Sequence, residues 1–337
     1  MTRVFSNRSF PATRLRRMRK NAFSRLLVQE SLLTINDLIL PVFICDESNM
    51  ACAILGMPGV HRYSLDKLMF YMEKVVHSGI LAVELFPNID DNTKDALASQ
   101  ALRDDDVVCR AVKLIKSNFP ELGVMTDVAL DPYTSNGQDG IVDSDGYVVN
   151  DITNDILAKQ ALNHVAAGAD MVSPSDMMDG RVGCIRSAFE DNGFCDAIIV
   201  AHSAKYASSL YSPFRRAVGS LGNLGPSTKE TYQIDPSNIS EALNEASLDI
   251  AEGADAVLVK PGMPYLDVLY AIKNTLNVPT FVYNVSGEYA MVKAASMSGA
   301  IDEKSVVLEI LLSFKRAGAD VIISYHALEA AKWLTAG

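Results

Sequence analysis

The sequence has no basic excess, no paired-cysteine pattern and no long apolar run, and each shortage removes a class of function. Acids outnumber bases by 41 to 30, for a net charge of -11 and a pI near 4.9. Such a balance argues against nucleic acid as a main partner. The five cysteines, Cys45, Cys52, Cys109, Cys184 and Cys195, are odd in number and scattered. With no CxxC and no His/Cys grouping of zinc-finger type, they read as reduced thiols of a cytoplasmic protein. No apolar run approaches membrane-spanning length, and no signal peptide stands out, so no membrane partner is expected. What the chain does have is 337 residues that are 49% apolar, ample for one large or two medium domains.

One stretch organises the rest. Ala256-Val257-Leu258-Val259 is apolar and ends in Lys260, and Pro261-Gly262 then stops the strand. A lysine that merely opens a surface loop would look the same. A buried ammonium at a strand tip, however, has a lowered pKa and becomes a nucleophile. A second run, Ala197 to Ala201, leads through His202-Ser203-Ala204 to Lys205. Two lysines sharing one pocket would depress each other's pKa further.

The N-terminal region has eight bases, Arg3, Arg8, Arg14, Arg16, Arg17, Arg19, Lys20 and Arg25, and no acid before Glu30. A nucleic-acid arm, an Arg-rich organelle presequence and an arm lying on an acidic neighbouring subunit all fit. The acidity of the remainder favours the last. Residues 1–34 are therefore expected to be an assembly arm and residues 35–337 the catalytic domain.

From residue 38 a strand-helix alternation sets in. Strands are expected at 38–44, 81–86, 123–128, 171–173, 197–200, 256–259, 279–284 and 321–324, and helices at 65–77, 92–117 and 155–167, among others. The phrase Gly-Ala-Asp recurs at 168–170, 253–255 and 318–320, each time between a helix and a short apolar strand. Continuous β-branched runs read as parallel strands buried on both faces. Eight right-handed βα crossovers close into an α/β fold of (β/α)8 type, a TIM barrel. An open doubly wound sheet is the alternative, but no GxGxxG follows the first strand.

In such a barrel the chemistry sits at the C-terminal strand ends. Those ends carry Glu84, Asp127, Ser173-Pro174-Ser175-Asp176, His202, Lys205, Lys260, Ser286 and Tyr325-His326. Two long loops stand over this ring, 131–151 and 208–235. The second is rich in Ser and Gly, carries Arg215, Arg216 and Lys229, and reads as a lid, about 207–235. The carboxylates Asp131, Asp139, Asp143 and Asp145 suit Mg2+ as hard ligands and equally suit a solvated acidic loop.

With these residues in view, the chain resembles the porphobilinogen synthase family, also called 5-aminolevulinate dehydratases. The likeness runs from about Arg14 to Leu334. It rests on DVALDPYTSNGQDG (127–140), SAKYAS (203–208), YSPFR (211–215) and VKPGMPYLD (259–267). The resemblance implies condensation of two 5-aminolevulinate molecules to one pyrrole in tetrapyrrole (heme) biosynthesis, with loss of two waters. It implies Schiff bases on Lys260, for the propionate-side substrate, and on Lys205, for the acetate-side one. It implies a carboxylate clamp of Ser286 and Tyr325, second-substrate contacts from Arg215, Lys229 and Gln233, and polar help from Asp127, Ser175 and Asp176. Zinc-using members carry three cysteines where this chain has Ala129, Asp131 and Asp139, so no active-site zinc is expected. The resemblance implies instead a regulatory Mg2+ at Glu245, on the helix before the Lys260 strand and facing away from the strand ends. Asn136 departs from the usual histidine of the loop. The resemblance also implies a homo-octamer built from dimers, with the arm (Arg14 to Arg19) wrapping a neighbouring barrel. A class I aldolase-like lyase and a non-catalytic barrel are the competing readings.

Overall fold

The protein is described here from a computed structural model covering residues 8–335; Arg3 of the basic arm lies outside the described residues. Two short helices, α1 (Arg16–Arg19) and α2 (Ala22–Leu27), lie in the N-terminal segment. Then follow β1 (Leu38–Cys45), β2 (Ala51–Ala53), β3 (His61–Ser64), α3 (Leu65–His77), β4 (Ala82–Asn88), α4 (Val107–Asn118), β5 (Gly123–Val128), α5 (Asn150–Ala166), β6 (Met171–Pro174), α6 (Arg181–Asp191) and β7 (Ile198–Lys205). The 208–235 loop holds α7 (Ser212–Ala217) and α8 (Leu221–Leu224). The chain closes with α9 (Ser240–Ala251), β8 (Ala256–Lys260), α10 (Leu266–Leu276), β9 (Thr280–Asn284), α11 (Ser286–Met297), α12 (Glu303–Ala317), β10 (Val321–Ser324) and α13 (Ala327–Thr335).

β1 and β4 to β10 pair in parallel in chain order, and β10 returns to β1 through Leu38↔Ile322 and Ile39↔Ile323. This is the expected eight-stranded closed barrel. Alternate residues of each strand serve two cores. Ala82, Phe86, Met125, Val200, Ala256, Leu258, Phe281 and Tyr283 fill the interior. Val83, Leu85, Val124, Val128, Ala201, Val257, Val259 and Val282 pack outward against the helices. Both faces are buried, which is why the strands read as largely apolar runs.

The recurring Gly-Ala-Asp has a structural cause. Gly168, Gly253 and Gly318 adopt φ of 107°, 108° and 110°, a conformation that side chains resist. Each following Asp then accepts a backbone N–H from the first two residues of the strand before it: Asp170 from Val124, Asp255 from Ile199 and Asp320 from Thr280, all at 2.8 Å. Each also holds a cation from an earlier helix, Lys116 at 2.9 Å, Arg186 at 2.6 Å and Lys273 at 2.6 Å. These three clips pin the foot of the barrel.

One irregularity matters for the site. Between β7 and β8, Ala201 pairs with Val257 but Ala204 pairs with Val259. β7 thus carries one residue more than its neighbour, a β-bulge at His202-Ser203. With Val200 facing inward and strict alternation, Lys205 would face outward. The extra residue turns it inward, and Lys205 pairs directly with Lys260.

Several element boundaries differ from the sequence reading. β7 continues past Val200 to Lys205, so the lysine is the strand's last residue. The helix expected from Asn92 begins only at Val107, because Asp106 caps it by accepting the Val108 N–H. The segment before it is made of short 3-10 turns, interrupted at Ala98 by a positive φ of 52°. α5 starts earlier than expected, at Asn150. The antiparallel pair β2–β3 was not expected, since β2 is wholly exposed and carries no apolar alternation. The 208–235 loop contains helical turns rather than open coil.

Candidate active site

The ends of β7 and β8 set two lysines side by side, and both are almost fully buried. The pocket around them is lined by Asp127, Asp131, Asp139, Ser175, Lys205, Tyr211, Phe214, Arg215, Lys229, Gln233 and Lys260. Most of the expected residues therefore meet. The pocket is tight, with about 20 Å³ of free volume, room for about one water.

Lys260 sits in an aromatic cage. Its Nζ lies 4.4 Å from the Tyr283 ring centre, 5.2 Å from Phe214 and 5.8 Å from Tyr211. Burial first, then the Lys205 charge, brings its pKa down to about 8, against the pull of Asp127 and Glu84. Lys205 donates to the Ser175 carbonyl oxygen and faces Asp139 at 3.6 Å. Asp127 accepts the Ser175 hydroxyl at 2.7 Å. Burial lifts the Asp127 carboxyl to about 6 in spite of Lys260.

Lys229 bridges two buried acids, Asp139 at 2.7 Å and Asp131 at 3.2 Å. Burial would raise the Asp139 pKa, but Lys205 and Lys229 outweigh it and hold the group at about 2. An ammonium therefore occupies the place between the acids that a hard metal would need. Asp143 accepts the backbone N–H groups of Asp145 and Tyr147 in a turn. Among the described residues, the group with metal-ligand spacing is Glu303, His326 and Glu329, and the Lys293 ammonium contacts both of its glutamates. Arg215 lines the pocket and forms no ion pair among the described residues, and the Gln233 Oε1 has no partner there either.

Three expected residues stand apart from this lining. Asp176 accepts the Met178 N–H at 2.7 Å and faces Arg181 at 3.6 Å. Burial raises its carboxyl to about 6, with Arg181 opposing. Ser286 accepts the Phe214 N–H at 3.0 Å, which ties it to α7. The Tyr325 hydroxyl meets that of Tyr283 at 3.1 Å. Both adjoin the cage from the β9–β10 side.

Glu245 corrects one expectation. It does not face away from the strand-end side. It lines a polar cleft of about 230 Å³ with Asp179, Glu241, Met177, Met178 and Glu230 to Gln233 of the 208–235 loop. Burial raises its pKa, Arg181 opposes, and the nearby Asp249, Asp179 and Glu241 charges raise it further. The reading of the sequence missed the cage residues Tyr211, Phe214 and Tyr283. Strand alternation would have found Tyr283, which is two residues on from inward Phe281. It also missed Tyr232, whose hydroxyl contacts Asp139 at 3.0 Å.

Comparison with known proteins agrees with this geometry. The model of the family described as delta-aminolevulinic acid dehydratase matches residues 12–333. A delta-aminolevulinic acid dehydratase of Bradyrhizobium diazoefficiens is 49% identical over 323 residues, covering 96% of this chain and 91% of that protein. A chloroplastic one of Chlamydomonas reinhardtii is 46% identical, covering 96% and 84%. The crystal structure of the Toxoplasma gondii enzyme, in complex with the reaction product porphobilinogen, superposes with a TM-score of 0.93 at 49% identity, covering 95% of this chain and 91% of that one. The fold, the paired lysines and these matches lead to one conclusion: the chain belongs to the delta-aminolevulinic acid dehydratase family.

Proposed function

We propose that Lys260 and Lys205 carry the reaction as paired imine-forming amines. The reaction itself is that of the family. Two 5-aminolevulinate molecules condense to porphobilinogen in tetrapyrrole biosynthesis, and the enzyme is a hydro-lyase. The observation that carries the proposal is the in-register pairing of the two buried lysines at one pocket. An iminium is an electron sink that acidifies the adjacent carbon and opens the carbonyl carbon to attack. Two ketones require activation, and two lysines stand ready. With its pKa near 8, Lys260 offers about a tenth of its amine in the free form at pH 7. We assign it the propionate-side substrate and Lys205 the acetate-side one.

Asp127 and Ser175, joined by their hydrogen bond, are the proton-handling pair beside Lys260. Asp176 supports that loop through its Met178 contact. Ser286 and Tyr325 are assigned to the first carboxylate and Arg215 and Gln233 to the second. Lys229 spends its charge on Asp131 and Asp139, so we read those acids as its partners rather than as metal ligands. Two substrates exceed the free volume, so the 207–235 lid opens to admit them.

Zinc would need thiolates, and Ala129, Asp131 and Asp139 offer none. The polar cleft at Glu245, where Asp179 and Glu241 stand close enough to raise the Glu245 pKa, fits a partly hydrated Mg2+. Glu245 would hold that ion, which would supply charge neutralisation beneath the lid. Residues 1–34 are proposed as an arm on a second copy in a homo-octamer built from dimers. In support, Phe10, Leu15, Phe23, Leu26, Leu27 and Leu32 are between 64% and 77% exposed. A cytoplasmic location fits five unpaired cysteines. No described helix is long and apolar enough to cross a membrane.

The test is borohydride reduction in the presence of substrate, followed by mass spectrometry of the Lys205 and Lys260 peptides. Both should carry the adduct, and absence of the Lys260 adduct would overturn the assignment.

A further inference from the structure

One acid inside the barrel has no role in the assignment above. Glu84 lies midway along β4 and is fully buried. Ala82 and Phe86 face the interior while Val83 and Leu85 face the helices, so Glu84 points inward. The same alternation turns Asp127, Ser173 and Lys260 inward. An eight-stranded barrel is just wide enough for its interior to be filled by side chains in layers, and here one layer is polar. Ser173 Oγ and His202 Nε2 are 2.8 Å apart. Ser173 is close enough to favour an ionised Glu84, yet neither Glu84 oxygen nor His202 Nδ1 completes a well-formed hydrogen bond.

A carboxyl group in this position is costly to ionise alone. Burial and then the Asp127 charge push its pKa up to about 8, with Lys260 pulling it down. Lys260 also stands at about 8. Two such groups titrate as a pair. The pair is neutral overall either as ammonium with carboxylate or as amine with carboxylic acid.

We propose that Glu84 is a positioning residue for Lys260, an inward-facing acid that gains a proton when the Lys260 ammonium loses one. With Glu84 ionised, the Ser173 hydroxyl donates to the carboxylate. With Glu84 protonated, its O–H donates to Ser173 Oγ, whose own proton turns to His202 Nε2. The free amine then attacks the ketone: the N–C bond forms and the carbonyl electron pair moves to oxygen. The nitrogen passes one proton to that oxygen. When the C–O bond breaks, the proton held by Glu84 becomes the second, the oxygen leaves as water, and the iminium carries the charge the ammonium had. Other groups face this pair. Lys205 disfavours the ammonium, and Asp127 and Asp131 favour it. Tyr283 and Tyr325 feel the Glu84 charge and stay protonated. His202 is held neutral by burial and the nearby cations. Asp127, at about 6, is the stronger acid and so the poorer acceptor.

The inference rests on Lys260 as the imine-forming amine, and the experiment separates the two. Levulinate, a keto acid without the substrate's amine, is reduced onto Lys260 with cyanoborohydride across pH, in the wild type and in Glu84→Gln. The trapping midpoint is expected to fall by about one pH unit in Glu84→Gln, because a charge that favoured the ammonium is gone. An unmoved midpoint in a folded variant would overturn the inference. No trapping at Lys260 in the wild type would overturn the underlying assignment and this inference with it. A second measurement avoids the Glu84 substitution. Infrared titration with isotope-labelled glutamate should show a buried carboxylic-acid band that persists to higher pH in Lys260→Met than in the wild type. A band that titrates identically in both would overturn it.

Discussion

Removing one lysine should retune the other. In Lys205→Met the buried cation beside Lys260 is lost while the packing volume is kept. The size of the effect can be bounded from the structure. Lys260 falls from an ordinary 10.5 to about 8, with burial as the larger cause and Lys205 the second. A shift of about one pH unit is expected on loss of Lys205, the second of the causes that lower it. An independent estimate gives an upper limit. Two unit charges as close as ~4 Å at an effective dielectric of ~20 interact by ~4 kcal/mol, or about three pH units. The sign is fixed: taking away a cation stabilises the ammonium, so the Lys260 pKa rises and free amine becomes scarcer. At pH 7 the initial rate of levulinate trapping on Lys260 should fall about tenfold. Its midpoint should move up, opposite to the direction in Glu84→Gln. The assay is mass spectrometry of the Lys260 peptide at fixed times across pH 6 to about 10. A midpoint that stays put, or moves down, would refute the claim that the two amines feel each other in one pocket.

Three further outcomes are expected. Arg215→Ala should raise the substrate concentration needed for turnover by about one to two decades, since a charge-assisted contact of roughly 1.5–3 kcal/mol is lost. Unchanged concentration dependence in steady-state kinetics would remove Arg215 from the clamp. Glu245→Gln should abolish stimulation by Mg2+ after exhaustive chelation yet leave both lysines trappable. Restoration of activity by Zn2+ alone would contradict the metal reading. Asp255→Ala should lower stability by about 1–3 kcal/mol, because the Ile199 N–H loses its acceptor. Denaturant unfolding should report that loss while KM stays at the wild-type value.

The barrel was legible because its strands are buried on both faces and its helices end on Gly-Ala-Asp. Those signals are local, and each depends on a few consecutive residues. Lys260 could be read because an apolar run ends on it abruptly. Lys205 could be named but not aimed, since its inward direction depends on a bulge visible only against β8. Lys229 was expected at a substrate carboxylate. Its attachment to Asp131 and Asp139 joins loops about ninety residues apart, a relation that spacing does not encode. Glu245 was placed on the right helix with the wrong outlook, because the lid's return path over Met177 and Met178 sets what that helix faces. The hairpin β2–β3 is held by backbone pairing and by contacts with residues outside it, Tyr63 on Tyr71 and Arg62 on the Ala217 carbonyl oxygen, and leaves almost no trace in side-chain pattern.

The bulge at His202-Ser203 has a consequence for how such an enzyme could arise or be lost. Side-chain direction along a strand has a period of two, so a one-residue insertion is equivalent to half a turn of everything beyond it. The bulge absorbs that half turn, so Lys205 keeps the inward facing that its pairing with Lys260 sets. A β7 one residue shorter and without the bulge would still aim its last lysine inward. A β7 of the same length with the bulge smoothed out would present Lys205 to the helix layer and leave a single amine in the mouth. It would still form one imine, yet it could no longer hold two ketones at once. The second amine can therefore be lost with the lysine itself retained, through a change in how the strand is paired, where a comparison of position 205 alone would register nothing.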